Sequence, residues 1–264
     1  MCPMSTSSKV EPSSTQPIVA QAKITEGLKH DDPAFKSTWV HRAWLVSGCT
    51  TVLIALTKSM VASIHSHIWA EPIIAGLVGY VVADLMFGVY HWSVDNYGDV
   101  NTPIFGAQID DFQGHHDMPW YITRREVANN FHALGQAATF IFLPINLFFN
   151  DAILMAFIGC LSTCLLFSQQ FHAWSHSTKS KLPPIVVTLQ DLGVLVSRTQ
   201  HAAHHHVPFN SNYCIVSGIW NKFLDENKVF VAFEKAIFFW FGVKPRSWNE
   251  PSLKLTKENI TPLS

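Results

Sequence analysis

The sequence is short of charge. Lys, Arg, Asp and Glu make up 14% of its 264 residues, against about 25% in an ordinary soluble domain. It is short of cysteine too: five, an odd number with no Cys-x-x-Cys pair, so neither a disulfide framework nor a zinc ribbon is indicated. No apolar stretch follows the initiator Met, which excludes a secretory leader. The formal net charge of −1 leaves no basic field to attract nucleic acid. What the chain has instead is apolar bulk and histidine. Hydrophobic residues reach 48%, with 19 Phe and 9 Trp, and there are 14 His. Ten of those His fall between His91 and His206. An apolar chain rich in imidazole points to a membrane protein carrying a metal site.

Four apolar stretches approach the roughly 20 residues that cross a ~30 Å hydrocarbon core. They run from about Ala43 to Ile64, Pro72 to Tyr90, Ala133 to Phe149 and Ala152 to Phe171. Lys58 interrupts the first and can snorkel. Asp84 sits in the second, and Pro144 predicts a kink in the third. Ile185 to Val196 is too short to span and is expected to lie at the interface or re-enter. Val229 to Val243 reads as an interfacial or packed helix. The competing reading is a soluble all-α protein with buried helices, which the low charge and the lack of amphipathic periodicity disfavour. The fold class expected is therefore an all-α integral membrane protein, with about four transmembrane helices and a histidine-rich helical cap on one membrane face. The expected organisation is a disordered N-terminal segment or transit peptide over residues 1–40, a membrane domain over 41–248 and a tail over 249–264.

This topology carries its own check. Four spans put the N-terminus, the loop from His91 to His132 and everything after Phe171 on one side. Of 18 Lys and Arg, only Lys58 is then not on that side, which the positive-inside rule assigns to the cytosol or its organellar equivalent. All ten clustered His land there as well, while His65 and His67 land opposite.

Four histidine clusters matter. His91-Trp-Ser-Val-Asp95 and His172-Ala-Trp-Ser-His176 each put two donors one helical turn apart on one face. Between them comes Gln113-Gly-His115-His116, followed by His132. His201-Ala-Ala-His204-His205 closes the series, with His206 trailing. Any one cluster is ordinary, since a lone pair of helical His is more often a surface or core pair than a site. Four clusters beside span ends are harder to explain that way, because polar groups near lipid are costly and usually functional. The candidate ligands are His91, His115, His116, His132, His172, His176, His201, His204 and His205, with Asp95 as a further ligand or an outer-shell partner. That is too many for one four-coordinate structural zinc. Two six-coordinate ions offer about twelve positions, and a redox-active pair of irons fits the count. Asp84 lies two turns before His91 and is expected either to receive the N–H of a ligand imidazole or to make a polar contact between helices. No side-chain acid or base removes hydrogen from an unactivated methylene, so here the metal must carry the hard chemistry. The reaction class indicated is O2-dependent C–H oxidation of a lipid chain, with desaturation and hydroxylation both open. A non-enzymatic metal-binding or transport protein would instead place its polar residues in mid-span.

The stretch from Asp111 to His132, the stretch from Gln200 to Cys214 (Gln-His-Ala-Ala-His-His-His-Val-Pro-Phe-Asn-Ser-Asn-Tyr-Cys) and Lys244-Pro-Arg-Ser-Trp248 resemble the plant phosphatidylglycerol palmitate trans-desaturases. That family is similar in turn to the animal plasmanylethanolamine desaturases and the bacterial CarF proteins. The resemblance runs from about His91 to Trp248. It implies a membrane di-iron lipid desaturase using two Fe ions and O2, with the nine histidines above as ligands, and a trans double bond near the carboxyl end of palmitate in phosphatidylglycerol. It implies a chloroplast membrane and ferredoxin as electron donor. The alternative is the endoplasmic reticulum, with cytochrome b5 as donor and an ether lipid as substrate. His206 departs from the expected pattern and leaves open which two of the three adjacent His bind metal.

Overall fold

The computed structural model describes residues 33–249. The chain divides into two compact units, Met1–Lys36 and Ser37–Ser264. The described part of the first contributes only a 3-10 turn, Pro33–Phe35. The segments expected over 1–40 and 249–264 lie largely outside the described residues, although helix already begins at Trp39. The described residues are helical, with no strand among them.

Four long helices carry the second unit: α1 (Trp39–Ser66), α2 (Ala70–Asn96), α4 (Val127–Phe148) and α5 (Ala152–Ser175). Each is long and apolar enough to cross a membrane. α1, α2 and α5 are apolar all round rather than along one stripe, as helices surrounded by lipid are. Their starts follow ordinary capping. The Thr38 hydroxyl accepts the His41 N–H at 3.2 Å and His41 Nδ1 accepts the Thr38 N–H at 3.3 Å, a capping box with imidazole in the usual Glu or Gln position. Asp151 caps α5 by accepting the Leu154 N–H at 2.8 Å. Two tight connections, residues 67–69 and 149–151, turn α1 into α2 and α4 into α5. They therefore lie at the end of the bundle away from the histidines.

The bundle is packed through small residues, as membrane helices are. A Cβ on Gly48 of α1 would sit 2.7 Å from Gly135 Cα of α4, and one on Gly79 of α2 would sit 2.6 Å from the Phe157 carbonyl of α5. The Lys58 ammonium does not snorkel to solvent alone. It donates to the carbonyls of Asn146 and, at 2.9 Å, Phe149, satisfying acceptors left bare at the end of α4. α4 continues through Pro144 as one helix.

Every long helix outruns its apolar stretch on the histidine side. α2 continues from Tyr90 to Asn96, α5 from Phe171 to Ser175, and α4 starts six residues before Ala133. The short elements gather at that end: α3 (Gly106–Asp117), α6 (Pro184–Asp191), α7 (Arg198–His204), α8 (Asn221–Glu226) and α9 (Val229–Phe241). The segment read as Ile185 to Val196 holds all of α6 but its first residue, and that read as Val229 to Val243 contains α9. Asp191 is an exposed partner of Lys179 at 2.6 Å. The Arg125 guanidinium is held by both carboxylate oxygens of Asp111, at 2.8 and 3.1 Å.

Candidate metal centre

Three helix ends and one short helix converge. The last turns of α2 bring His91 and Asp95, and the last turn of α3 brings His115 and His116. The end of α5 brings His172, with His176 at its C-cap. The seven-residue α7 brings His201 and His204, with His205 at its C-cap. Ser197 starts α7 by accepting the Gln200 N–H at 3.2 Å.

These side chains form two groups. His115, His172, His176, His201 and His205 make one; His91, Asp95, His116 and His204 make the other. Within each group the ligand atoms all lie within 4.8 Å of one another. In the five-histidine group, His176 Nε2 lies 2.8 Å from both His115 Nε2 and His201 Nε2 and 3.2 Å from His172 Nε2, and His205 Nε2 lies 3.2 Å from His201 Nε2. In the other, His116 Nε2 and His204 Nε2 are 3.0 Å apart. Asp95 Oδ2 stands 3.3 Å from His91 Nε2 and His204 Nε2 and 3.4 Å from His116 Nε2. Neighbours in sequence divide between the groups because successive helical residues point about 100° apart. His115 and His116 part in this way, as do His204 and His205. The two groups share a wall, with ring centroids of His116 and His205 at 5.2 Å and of His201 and His204 at 5.5 Å.

Two main-chain carbonyls set the rings of the second group. His91 Nδ1 donates to the Tyr213 carbonyl at 2.9 Å and His204 Nδ1 to the Ser211 carbonyl at 2.8 Å. A carbonyl can only accept, so the proton sits on Nδ1 and the Nε2 lone pair faces inward. No such carbonyl fixes the first group: Nδ1 of His172, His201 and His205 is buried without a hydrogen bond in the protein. Those rings are held by packing, His172 against Phe112 at 6.3 Å among others.

The site disfavours protonated imidazole. Burial, reinforced by the neighbouring rings, pulls His115 well below its ordinary value. The same causes bring His116 down to about 2, His176 to about 4 and His205 to about 3. These four rings are therefore neutral at pH 7, the form that ligates metal.

A metal fits these residues on two counts. His91 Nε2 and both Asp95 oxygens are buried and make no hydrogen bond, a costly state for polar atoms unless something else engages them. Several lone-pair nitrogens also crowd to separations near 3 Å, about the edge length of a polyhedron whose metal–nitrogen bonds are ~2.0–2.1 Å. Cys49, Cys160, Cys164 and Cys214 are free thiols outside both groups.

The structure thus brings together eight of the nine histidines read from the sequence, with Asp95 as a ninth donor. It does not bring in His132. That ring stacks on His41 at 4.1 Å and turns its Nδ1 to the Asn129 carbonyl of its own helix at 2.7 Å. Asp84 is also placed differently from the expectation of an imidazole partner. Its Oδ1 accepts the main-chain N–H groups of Val216, Ser217 and Gly218 at 3.0, 2.9 and 3.1 Å. It thereby anchors the segment whose carbonyls orient His91 and His204. His206 is exposed and belongs to neither group, so His204 and His205 are the inward members of the triple. The carbonyls of Ser211 and Tyr213 had no signal in side-chain chemistry.

Comparison with known proteins agrees with this picture. The lipid desaturase domain family matches residues 80–248. The chain is 59% identical to fatty acid desaturase 4, chloroplastic, of Arabidopsis thaliana over 215 residues, which is 81% of this chain and 67% of that protein. It is 53% identical over 233 residues to fatty acid desaturase 4-like 1, chloroplastic, of the same plant, covering 88% of this chain and 79% of the relative. It is 33% identical to plasmanylethanolamine desaturase 1 of Mus musculus over 190 residues, 66% of this chain and 68% of that protein. No solved structure matches the chain.

Proposed function

The chain belongs to the lipid desaturase family, and on that premise we propose that it is a di-iron lipid desaturase of the chloroplast membrane. Its proposed action is to introduce a trans double bond near the carboxyl end of palmitate in phosphatidylglycerol. The observation that carries this is the pair of adjoining donor groups at the ends of apolar helices. His91, Asp95, His116 and His204 would hold one iron, and His115, His172, His176, His201 and His205 the other. The paired irons, when bound, supply O2-dependent abstraction of hydrogen from an unactivated C–H bond. Overall, the acyl chain loses two hydrogens, a donor protein supplies two electrons, and O2 leaves as two waters once two protons are taken up.

The protein's own residues do the rest. Neutral imidazoles present lone pairs without a proton to displace. Asp95 contributes the only carboxylate in either group, so the group containing His91 carries one more negative charge than its neighbour. The Tyr213 and Ser211 carbonyls lock two rings of that group and raise their basicity. Burial keeps bulk water from the donors and limits side reactions. In a chloroplast the donor is ferredoxin; in the endoplasmic reticulum it would be cytochrome b5.

Identity supports acyl chemistry over ether-lipid chemistry, at 59% to the fatty acid desaturase against 33% to the plasmanylethanolamine desaturase. The test is lipid profiling of a heterologous host expressing the chain with each donor supplied, with double bonds located by mass spectrometry. Phosphatidylglycerol carrying a palmitate two mass units lighter is the expected product. A vinyl ether would transfer the protein to the ether-lipid branch, and a gain of one oxygen would make it a hydroxylase.

A further inference from the structure

The segments around α6 and around α8 and α9 follow the histidine-side ends of the spans in sequence. Their hydrogen bonds reach much deeper. From Glu71 to His91, α2 rises about 30 Å at 1.5 Å per residue, the thickness of the hydrocarbon core. On that scale Asp84 lies about 10 Å below His91, and Val81 and Tyr80 about 15 Å below it. Asp84 binds the backbone of residues 216–218. Trp220 Nε1 donates to the Val81 carbonyl at 2.9 Å, and the Tyr80 hydroxyl donates to the Val194 carbonyl at 2.7 Å. Val229 and Ile237 pack into the same cluster as Leu85 and Trp92 of α2, and Phe230 stacks on Trp92 at 5.1 Å.

Irregular backbone at membrane depth persists only where its polar groups are satisfied inside the protein. Most of the main-chain polar groups of residues 213–218 meet that condition. The Cys214 N–H and carbonyl are both taken by the Asn221 amide, at 2.8 and 3.0 Å, and the Val216 carbonyl accepts the Val196 N–H at 2.9 Å.

The outer surface of these segments is largely apolar, broken by exposed Asp191, Lys222, Glu226, Asn227 and Lys228. Phe239, Trp240 and Phe241 are 79%, 75% and 76% exposed, and Leu192, Ile219 and Phe223 are exposed as well. We infer that residues 182–196 and 213–241 are re-entrant membrane segments, and that acyl chains of the histidine-side leaflet cover this surface. Lys222, Lys228 and Lys235 are exposed among these residues and can carry their ammonium groups up to the lipid head groups. The histidine groups then lie at the hydrocarbon edge, walled by lipid-embedded segments, and a substrate chain can approach sideways without leaving its leaflet.

The test uses the full chain in phosphatidylglycerol vesicles and does not depend on its activity. A phospholipid with a diazirine in mid-acyl chain is photolysed and its adducts are mapped by mass spectrometry. Adducts on residues 219–223 and 238–241 are expected at yields comparable to those on Leu77 of α2. Hydroxyl radicals generated in the water should oxidise Trp240 far less in vesicles than in the urea-unfolded chain. Adducts confined to the four long helices, or undiminished oxidation of Trp240, would overturn the inference. Chain-to-chain crosslinks replacing lipid adducts at Phe239–Phe241 would overturn it in favour of a dimer interface.

Discussion

Replacing Asp84 with alanine removes the acceptor of three main-chain N–H groups at once. Val216, Ser217 and Gly218 all donate to its Oδ1 within 3.1 Å, and Asp84 is fully buried. A buried donor left without a partner costs about 1–3 kcal/mol, so the alanine variant stands to lose about 3–9 kcal/mol, against a total stability of about 5–15 kcal/mol for a typical domain. The loss does not stop at folding. The freed segment carries the Tyr213 and Ser211 carbonyls that orient His91 and His204, and losing such outer partners typically weakens metal binding about 10–100-fold. Asp84→Asn keeps an oxygen in the same place but a weaker acceptor, neutral acceptors being about half as strong as charged ones. The two variants should therefore form a graded series. Thermal unfolding in detergent and iron retention during dialysis against a chelator read the two effects separately. Asp84→Ala melting with the wild type and keeping its metal would refute the reasoning.

Further expectations follow from the two donor groups. His172→Ala and His204→Ala should abolish product while the protein stays in the membrane, whereas His132→Ala, His65→Ala and His67→Ala should keep their metal, as read by metal analysis of each purified variant. Product and metal lost with His132→Ala to the same degree as with His204→Ala would contradict the division of ligands. Gly79→Leu should destabilise the pairing of α2 with α5, since even a Cβ there meets the Phe157 carbonyl at 2.6 Å; an unchanged melting temperature would count against this packing. The metal-free protein should lose stability on acidification. His176 titrates at about 4 and His205 at about 3, both below the unfolded value of 6.5, so the unfolded chain takes up protons first as pH falls. Stability is complete above 6.5 and drains away from there down to those folded values; a melting temperature flat across that window would show the rings are not held neutral.

Much of this was legible in the sequence, and the failures have physical causes. Hydropathy found the four spans but placed their histidine-side ends one to two turns short, because the ligand-bearing turns are polar while still helical. Spacing paired His172 with His176 correctly, since i and i+4 share a face. For Asp84 it left an imidazole partner and a polar contact between helices both open, and the main chain of residues 216–218 is what the structure supplies. Seven residues also return to one face, yet what that face meets at Asp84 is a loop from 130 residues downstream rather than the imidazole above it. His132 belongs to a motif-rich stretch, but its helix turns it toward His41. The carbonyls that fix His91 and His204 belong to the main chain, which side-chain identity does not report.

The account rests on two donor groups filled by a like pair of ions. The most direct measurement is metal analysis with Mössbauer spectroscopy on wild-type protein purified from an iron-replete host. About two irons per chain in a coupled pair, a count that the five-donor and four-donor groups both being occupied requires, is the predicted result. A single zinc, or one isolated iron that persists unchanged in His204→Ala, would contradict it.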